Sequence, residues 1–296
     1  MTAHQDNTLS TSGSARTGAT TMPPTVNGAS ANGSAKESCP STTERSQKLR
    51  TECLALQAKV NGFLEEEVLS PRLRGVQQQV RIAMGVIKQA LEEYSLEELS
   101  LSYNGGKDCL VLLVLVLATL PSVYTSVDSF PSCFQSVYVV SKHPFREVDD
   151  FVEATAGEYC LDLKRYSMGM KQALQSYLDD RPKLRAVFVG TRRTDPHGAK
   201  LKHFDETDAD WPEFMRIHPV IDWHYVEIWG FIRHLKVPYC ALYDQGYTSL
   251  GGTTDTHPNP ALKVIDKVAD KGVSRADLFR PAYELYEDDA ERLGRD

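Results

Sequence analysis

With 296 residues, a formal charge of −7 and 41% apolar side chains, the chain has the composition of a globular protein large enough to bury a substantial core. The acidic balance argues against broad binding to nucleic acid, where phosphate neutralisation needs a basic face. Six cysteines without a C-x-x-C pair indicate neither a zinc site nor a disulfide framework, and they fit a reduced, cytoplasmic protein.

Residues 1–45 contain seven Ser and nine Thr, with Met1, Leu9, Met22 and Val26 as their large apolar side chains. Such a segment buries too little surface to offset its ordering entropy, so it reads as a disordered tail. It has no apolar signal core, and Arg16 and Arg45 are too sparse for a transit peptide. Leu49, Cys53, Leu56, Val60 and Phe63 then recur at helical spacing, and after Pro71 the pattern resumes as Val76, Val80, Met84, Ile87, Leu91 and Tyr94. From Glu98 the texture changes to short strands alternating with helices. Strands are predicted at Leu99–Tyr103, Ser136–Val140, Leu161–Arg165, Ala186–Val189 and Tyr239–Leu242. Helices are predicted at Asp108–Leu120, Phe145–Tyr159, Met168–Leu178 and Tyr225–Leu235. The most apolar run, Leu110–Leu120, is too short to cross a membrane.

This alternation implies an α/β fold: a mainly parallel, twisted, Rossmann-like sheet with helices on both faces. One domain is expected over residues 46–296, with 46–95 as N-terminal helices packed on it. In open sheets of this kind a ligand sits beyond the carboxyl ends of the strands, so the loops opening at Asn104, Ser141, Gly190 and Asp244 matter most.

The first of them, SYNGGKDC (102–109), follows a strand and opens a helix. Gly105 and Gly106 permit positive φ and close backbone approach, the first helical turn offers unpaired N–H groups, and Lys107 adds a charge. A Walker A loop would read GxxxxGK[ST]; here the glycines adjoin the lysine, and Cys109 stands where a hydroxyl would. The residues alone leave two readings, an anion-binding loop or a Gly-rich turn with a solvated lysine. Cys109 reads as helix packing.

The stretch resembles the SGGKDS-type loop of the adenine-nucleotide α-hydrolase-like superfamily. More narrowly, YNGGKDC resembles the eukaryotic FMN adenylyltransferases (FAD synthases), kin to phosphoadenylylsulfate reductases. VGTRRTDP (189–196), TDADWPEFMRIHPVIDWHYVEIW (207–229), PYCALYDQGYTSLGGTTDTHPNP (238–260) and ERLGR (291–295) follow in the family's order. The resemblance implies that Tyr103, Gly105, Gly106, Arg192, Arg193, Gly251 and Gly252 help hold ATP. It also implies that Asp210, Asp222, Trp223, Arg292 and Arg295 face FMN, and that Asn104, Lys107 and Asp108 serve the reaction.

Each motif has a plainer alternative. Arg192 and Arg193 would grip phosphate bidentately or form a surface pair beside a turn at Asp195. Asp222 would accept from a flavin ring N–H or simply cap the helix after it. Asp210 lies in an acidic loop where a solvated carboxylate is equally natural. The Gly251–Gly252 stretch would also serve as a mere connection, and Arg292 and Arg295 would by default be solvated charge.

The implied reaction joins FMN and MgATP into FAD and pyrophosphate. Mg²⁺ takes phosphates and one or two carboxylates, which makes Asp108 its candidate ligand, directly or through water. FMN's own phosphate is the nucleophile, so no general base is required. Two alternatives remain: a phosphoadenylylsulfate reductase, which needs a catalytic cysteine late in the chain where nothing follows Cys240, and a silent flavin or nucleotide carrier. ATP and FMN are the expected partners, without nucleic acid, membrane or obligate protein.

Overall fold

The computed structural model describes residues 41–264 and 278–296. The tail expected over 1–45 lies outside these up to residue 40. Helix α1 (Thr42–Glu65) already starts within its last residues, because Ser41 and Glu44 form a reciprocal capping box. A chain beginning at residue 41 should therefore keep the thermal midpoint and activity of the full protein. One beginning at residue 46 loses the cap, worth about 1 kcal/mol, and should melt roughly 2–4 °C lower. Equal melting losses in both would show that residues 1–40 contribute to the fold.

Helix α2 (Pro71–Glu93) begins on a proline suited to a first helical position, and its apolar stripe from Val76 to Leu91 is buried. Both helices pack on α3 (Lys107–Val123). That arrangement explains the LVLLVLVLATL run. One side of α3 lies on the sheet and the other under α1 and α2, so every residue from Cys109 to Leu120 is buried.

The sheet has the order β3-β2-β1-β4-β6-β5, comprising β1 (Leu99–Ser102), β2 (Phe134–Val139), β3 (Leu161–Tyr166), β4 (Ala186–Phe188), β5 (Phe204–Glu206) and β6 (Met215–Ile217). All pairings are parallel except that of the edge strand β5 with β6. Leu99 and Leu101 of β1 face the main core with α3, α4 (Arg146–Glu158) and α6 (Tyr225–His234). Ser100 between them points to the other face, where its hydroxyl meets the Tyr177 hydroxyl at 2.6 Å. Tyr177 and Ala173 belong to α5 (Met170–Asp180), which covers that second face with Val137, Val187 and Phe214.

Two features depart from the pattern expected from sequence. The segment Tyr239–Leu242 is not a strand; Ala241–Gln245 form a 3₁₀ turn that ends on Gly246 at φ 88°. Pro238 cannot donate to a ladder, and Tyr239 and Tyr243 instead pack edge-on against Trp229. Strands β5 and β6, three residues each, lie in a stretch with no visible periodicity.

The chain runs from β1 outward through β2 and β3, then returns to β4 on the other side of β1. The strand order thus reverses between β1 and β4. A crevice opens at their carboxyl ends, which is where open α/β sheets bind ligands.

Candidate active site

That crevice is a cavity of about 300 Å³. Its walls carry Asn104 and Gly106 from the β1–α3 loop, Lys107 and Asp108 from the first turn of α3, Gly190 and Asp195 from the loop after β4, and Arg292 and Arg295 from the C-terminal segment.

The β1–α3 loop is built tightly. Gly105 has φ 74°, and a Cβ there would lie 2.7 Å from Val152 Cγ2, so the position admits glycine alone. Gly106 takes an ordinary φ of −70°, so of the two freedoms that the glycines permit it uses close approach and not positive φ. Its constraint is closeness, since a Cβ would sit 2.9 Å from Asn104 Oδ1. That oxygen accepts the Gly106 N–H at 3.0 Å and the Cys109 thiol at 2.8 Å. Burial pushes the Cys109 thiol up to about 12, so it stays protonated and latches the loop as a donor. At the helix start, the Lys107 N–H donates to the buried Tyr243 hydroxyl at 2.8 Å. Gly190 lets the β4 loop press against the first turn of α3, where a Cβ would meet the Cys109 backbone nitrogen at 2.9 Å.

Beneath this loop lies a closed charge network. The Lys107 ammonium is buried, 3.0 Å from Asp108 Oδ2, hydrogen-bonded to Glu291 Oε1 and 5.1 Å above the Tyr225 ring. Arg192, with no exposed surface, reaches Asp108 Oδ1 through Nε at 3.0 Å and Asp195 Oδ1 through Nη2 at 3.4 Å. It also donates to Glu291 Oε2. Burial pulls the Lys107 ammonium down, but Asp108 and Glu291 outweigh it and hold the group above its ordinary pKa. Burial pushes the Asp108 carboxyl up, but Arg192 and Lys107 outweigh it and keep it below the usual range.

The structure therefore gathers Asn104, Gly106, Lys107, Asp108, Arg292 and Arg295 around one cavity, with Gly105 shaping the turn behind it. Arg192, expected to grip phosphate, is buried behind the wall and ringed by the carboxylates of Asp108, Asp195, Asp288 and Glu291. Arg193 lies outside the cavity, its Nε 2.6 Å from Asp222 Oδ1 and its Nη1 on the carbonyls of Ala199 and Leu201. Asp222 is thereby tied into the loop after β4. Trp223 is buried edge-on against Phe231 and offers no face to a ligand. Tyr103 is fully buried.

Gly251 lies under the Arg295 guanidinium, which a Cβ would meet at 2.4 Å, and Gly252 donates to Asp255 at 2.8 Å. Asp255 in turn pairs with Arg295 at 3.4 Å. Arg292 is exposed, and its side chain has no hydrogen-bond or ion-pair partner among the described residues. Asp210 lies on a second, open cleft of about 790 Å³, lined also by Lys171, Gln172 and Trp211. The two openings adjoin at the start of α5, where Met170 lines the first and Lys171 the second.

Gly190, Tyr243 and Glu291 fall within stretches that sequence picks out, but no local pattern singles out these three residues for this site. A glutamate beside two arginines reads as surface charge until the C-terminal segment is docked.

The pattern of the phosphoadenosine phosphosulfate reductase domain matches residues 98–177 and 164–258. A probable FAD synthase of Schizosaccharomyces pombe is 41% identical over 237 residues, 80% of this chain and 86% of that one. The flavin adenine dinucleotide synthase of Saccharomyces cerevisiae is 33% identical over 226 residues, 69% and 73% of the two chains. Among solved structures, Candida glabrata FMN adenylyltransferase in complex with FMN and the ATP analog AMPCPP superposes with a TM-score of 0.77. That pair is 28% identical, and the match covers 83% of this chain and 99% of the other. With this identity along most of both chains, and a crevice at the β1–β4 switch point bordered by the Gly-Gly loop, the chain belongs to the FAD synthase family within the phosphoadenosine phosphosulfate reductase domain fold.

Proposed function

We propose that the protein transfers the AMP moiety of MgATP to the phosphate of FMN, releasing pyrophosphate and FAD. One observation carries this reading beyond family membership. The Gly-Gly loop and the C-terminal arginines meet in a single cavity whose own thiol and phenol are held unreactive. Burial keeps Cys109 a thiol and holds Tyr243 well above its ordinary pKa, so it stays a phenol. The nucleophile then arrives with a substrate. A phosphate monoester with a second pKa of about 6 is already largely dianionic near neutrality.

What the chain supplies is placement and charge. Asn104 closes the loop with its carbonyl oxygen, so a phosphate takes its Nδ2 amide. Arg292, without a protein partner, is the cation that meets the incoming anion. The flavin ring extends past Met170 toward the cleft of Asp210 and Trp211, a placement that Trp223, buried in the core, does not share. Mg²⁺ enters as part of the substrate MgATP. Among the described residues no three His, Cys, Asp or Glu side chains gather into a metal cage. Both Asp108 oxygens face cations, so the ion is carried by phosphates and water, with Asp108 reached through water. Five unpaired cysteines among the described residues support a reduced, cytoplasmic setting. Among the described residues no helix is long and apolar enough to cross a membrane. No nucleic acid or obligate protein partner enters the reading.

Incubated with ATP, Mg²⁺ and FMN, the protein should form FAD and pyrophosphate in equal amounts, resolved by chromatography. EDTA should stop the reaction, and riboflavin, which lacks the nucleophilic phosphate, should not replace FMN. Sulfite release from phosphoadenylylsulfate with FMN untouched would overturn the assignment.

A further inference from the structure

Glu291 faces two of the cations that the sequence assigns to the nucleotide. Its side chain is 5% exposed, and its two carboxylate oxygens take the Lys107 ammonium and the Arg192 guanidinium. The backbone fixes it there independently of these charges. Its carbonyl accepts from the Thr248 hydroxyl at 2.6 Å, and Asn259 Nδ2 holds the preceding Ala290 carbonyl at 2.7 Å. A carboxylate clamped between a lysine and an arginine offers them the charge and oxygen pair that a phosphate offers.

The cations that the sequence assigns to the nucleotide are thus already neutralised. Lys107 and Arg192 face Asp108, Asp195, Asp288 and Glu291, two positive charges against four negative. Of the two, Lys107 borders the cavity, so it is the cation an entering phosphate would reach. To take it, the phosphate must compete with Glu291.

We propose that Glu291 is a positioning residue that acts through Lys107. By occupying the lysine it makes nucleotide binding conditional on Mg²⁺, which brings the missing positive charge, and it disfavours retention of metal-free pyrophosphate. The inference rests on the reading of this cavity as the site of the nucleotide's phosphates.

Calorimetric titration of pyrophosphate and of ATP, each in EDTA and in Mg²⁺, tests it. Glu291→Gln keeps the shape and removes the charge. It should bind metal-free pyrophosphate about tenfold tighter than the wild type, the equivalent of one charge-assisted hydrogen bond. The gain should be smaller when Mg²⁺ is present. Glu291→Asp keeps the charge but is too short to hold both cations, and it should show a smaller gain in EDTA. A purely structural role predicts the opposite sign, weaker binding in both variants. If neither variant, folded by thermal melting, gains affinity for metal-free pyrophosphate, the proposal is overturned while the cavity reading stands. A wild type that binds neither ligand even with Mg²⁺ overturns the cavity reading, and the proposal with it.

Discussion

Arg192→Ala should destabilise the protein by about 3–5 kcal/mol, the cost of breaking a buried ion network by removing one partner. Arg192 is fully buried, and its loss leaves Asp108, Asp195, Asp288 and Glu291 with Lys107 as the remaining buried cation. The deficit should depend on pH. In the wild type, Arg192 and Lys107 outweigh burial and depress the Asp108 pKa below its unfolded value. That contribution is present above the unfolded pKa, about 3.9, and is lost as pH falls through the folded value. Without Arg192 the carboxyl pKa rises and this contribution shrinks. The gap between variant and wild type should therefore be largest near neutrality and narrow toward pH 4. Denaturant melts at several pH values measure it. A gap that is constant with pH would mean that lost packing, and not unpaired charge, dominates.

Asp108→Ala should act chiefly on turnover. Its carboxylate is 21% exposed on the cavity wall and orients Lys107 and Arg192 from the first turn of α3. In the proposed reaction Asp108 organises charge where the α-phosphate is attacked, and losing it should cost about 2.7–4 kcal/mol, or roughly a hundred- to a thousandfold in kcat. KM for FMN should change far less, since the loss falls on the transition state. Asp195 and Glu291 still pair with Arg192, so the variant should fold and melt closer to wild type than Arg192→Ala. Steady-state rates with ATP and FMN varied separately decide it. Near-normal kcat with a raised KM for FMN would move Asp108 from the reacting phosphates to the flavin.

The amino-acid sequence by itself determined the α/β class, the two N-terminal helices and the Gly-Gly turn between β1 and α3. These are local: a 3.6-residue apolar period, and a Gly-Gly-Lys-Asp turn between a strand and a helix, state their conformation without help from distant chain. It also pointed to the C-terminal arginines, through the resemblance of ERLGR in its order among the other motifs. Tertiary structure decided which way each charge faces. Arg192 and Arg193 are neighbours in sequence, yet one is sealed in a carboxylate cage and the other clamps Asp222 near the surface. Trp223 and Trp211 follow the same Asp-Trp pattern, but the first is core and the second borders an open cleft. Glu291 meets Lys107 across 184 residues of separation, and Tyr243 reaches the same helix start from a 3₁₀ turn that overlaps the end of the predicted strand Tyr239–Leu242. A charge pattern records which ions are present. Burial and partner geometry decide whether an ion faces a ligand or another side chain, and both arise from contacts that no local period encodes.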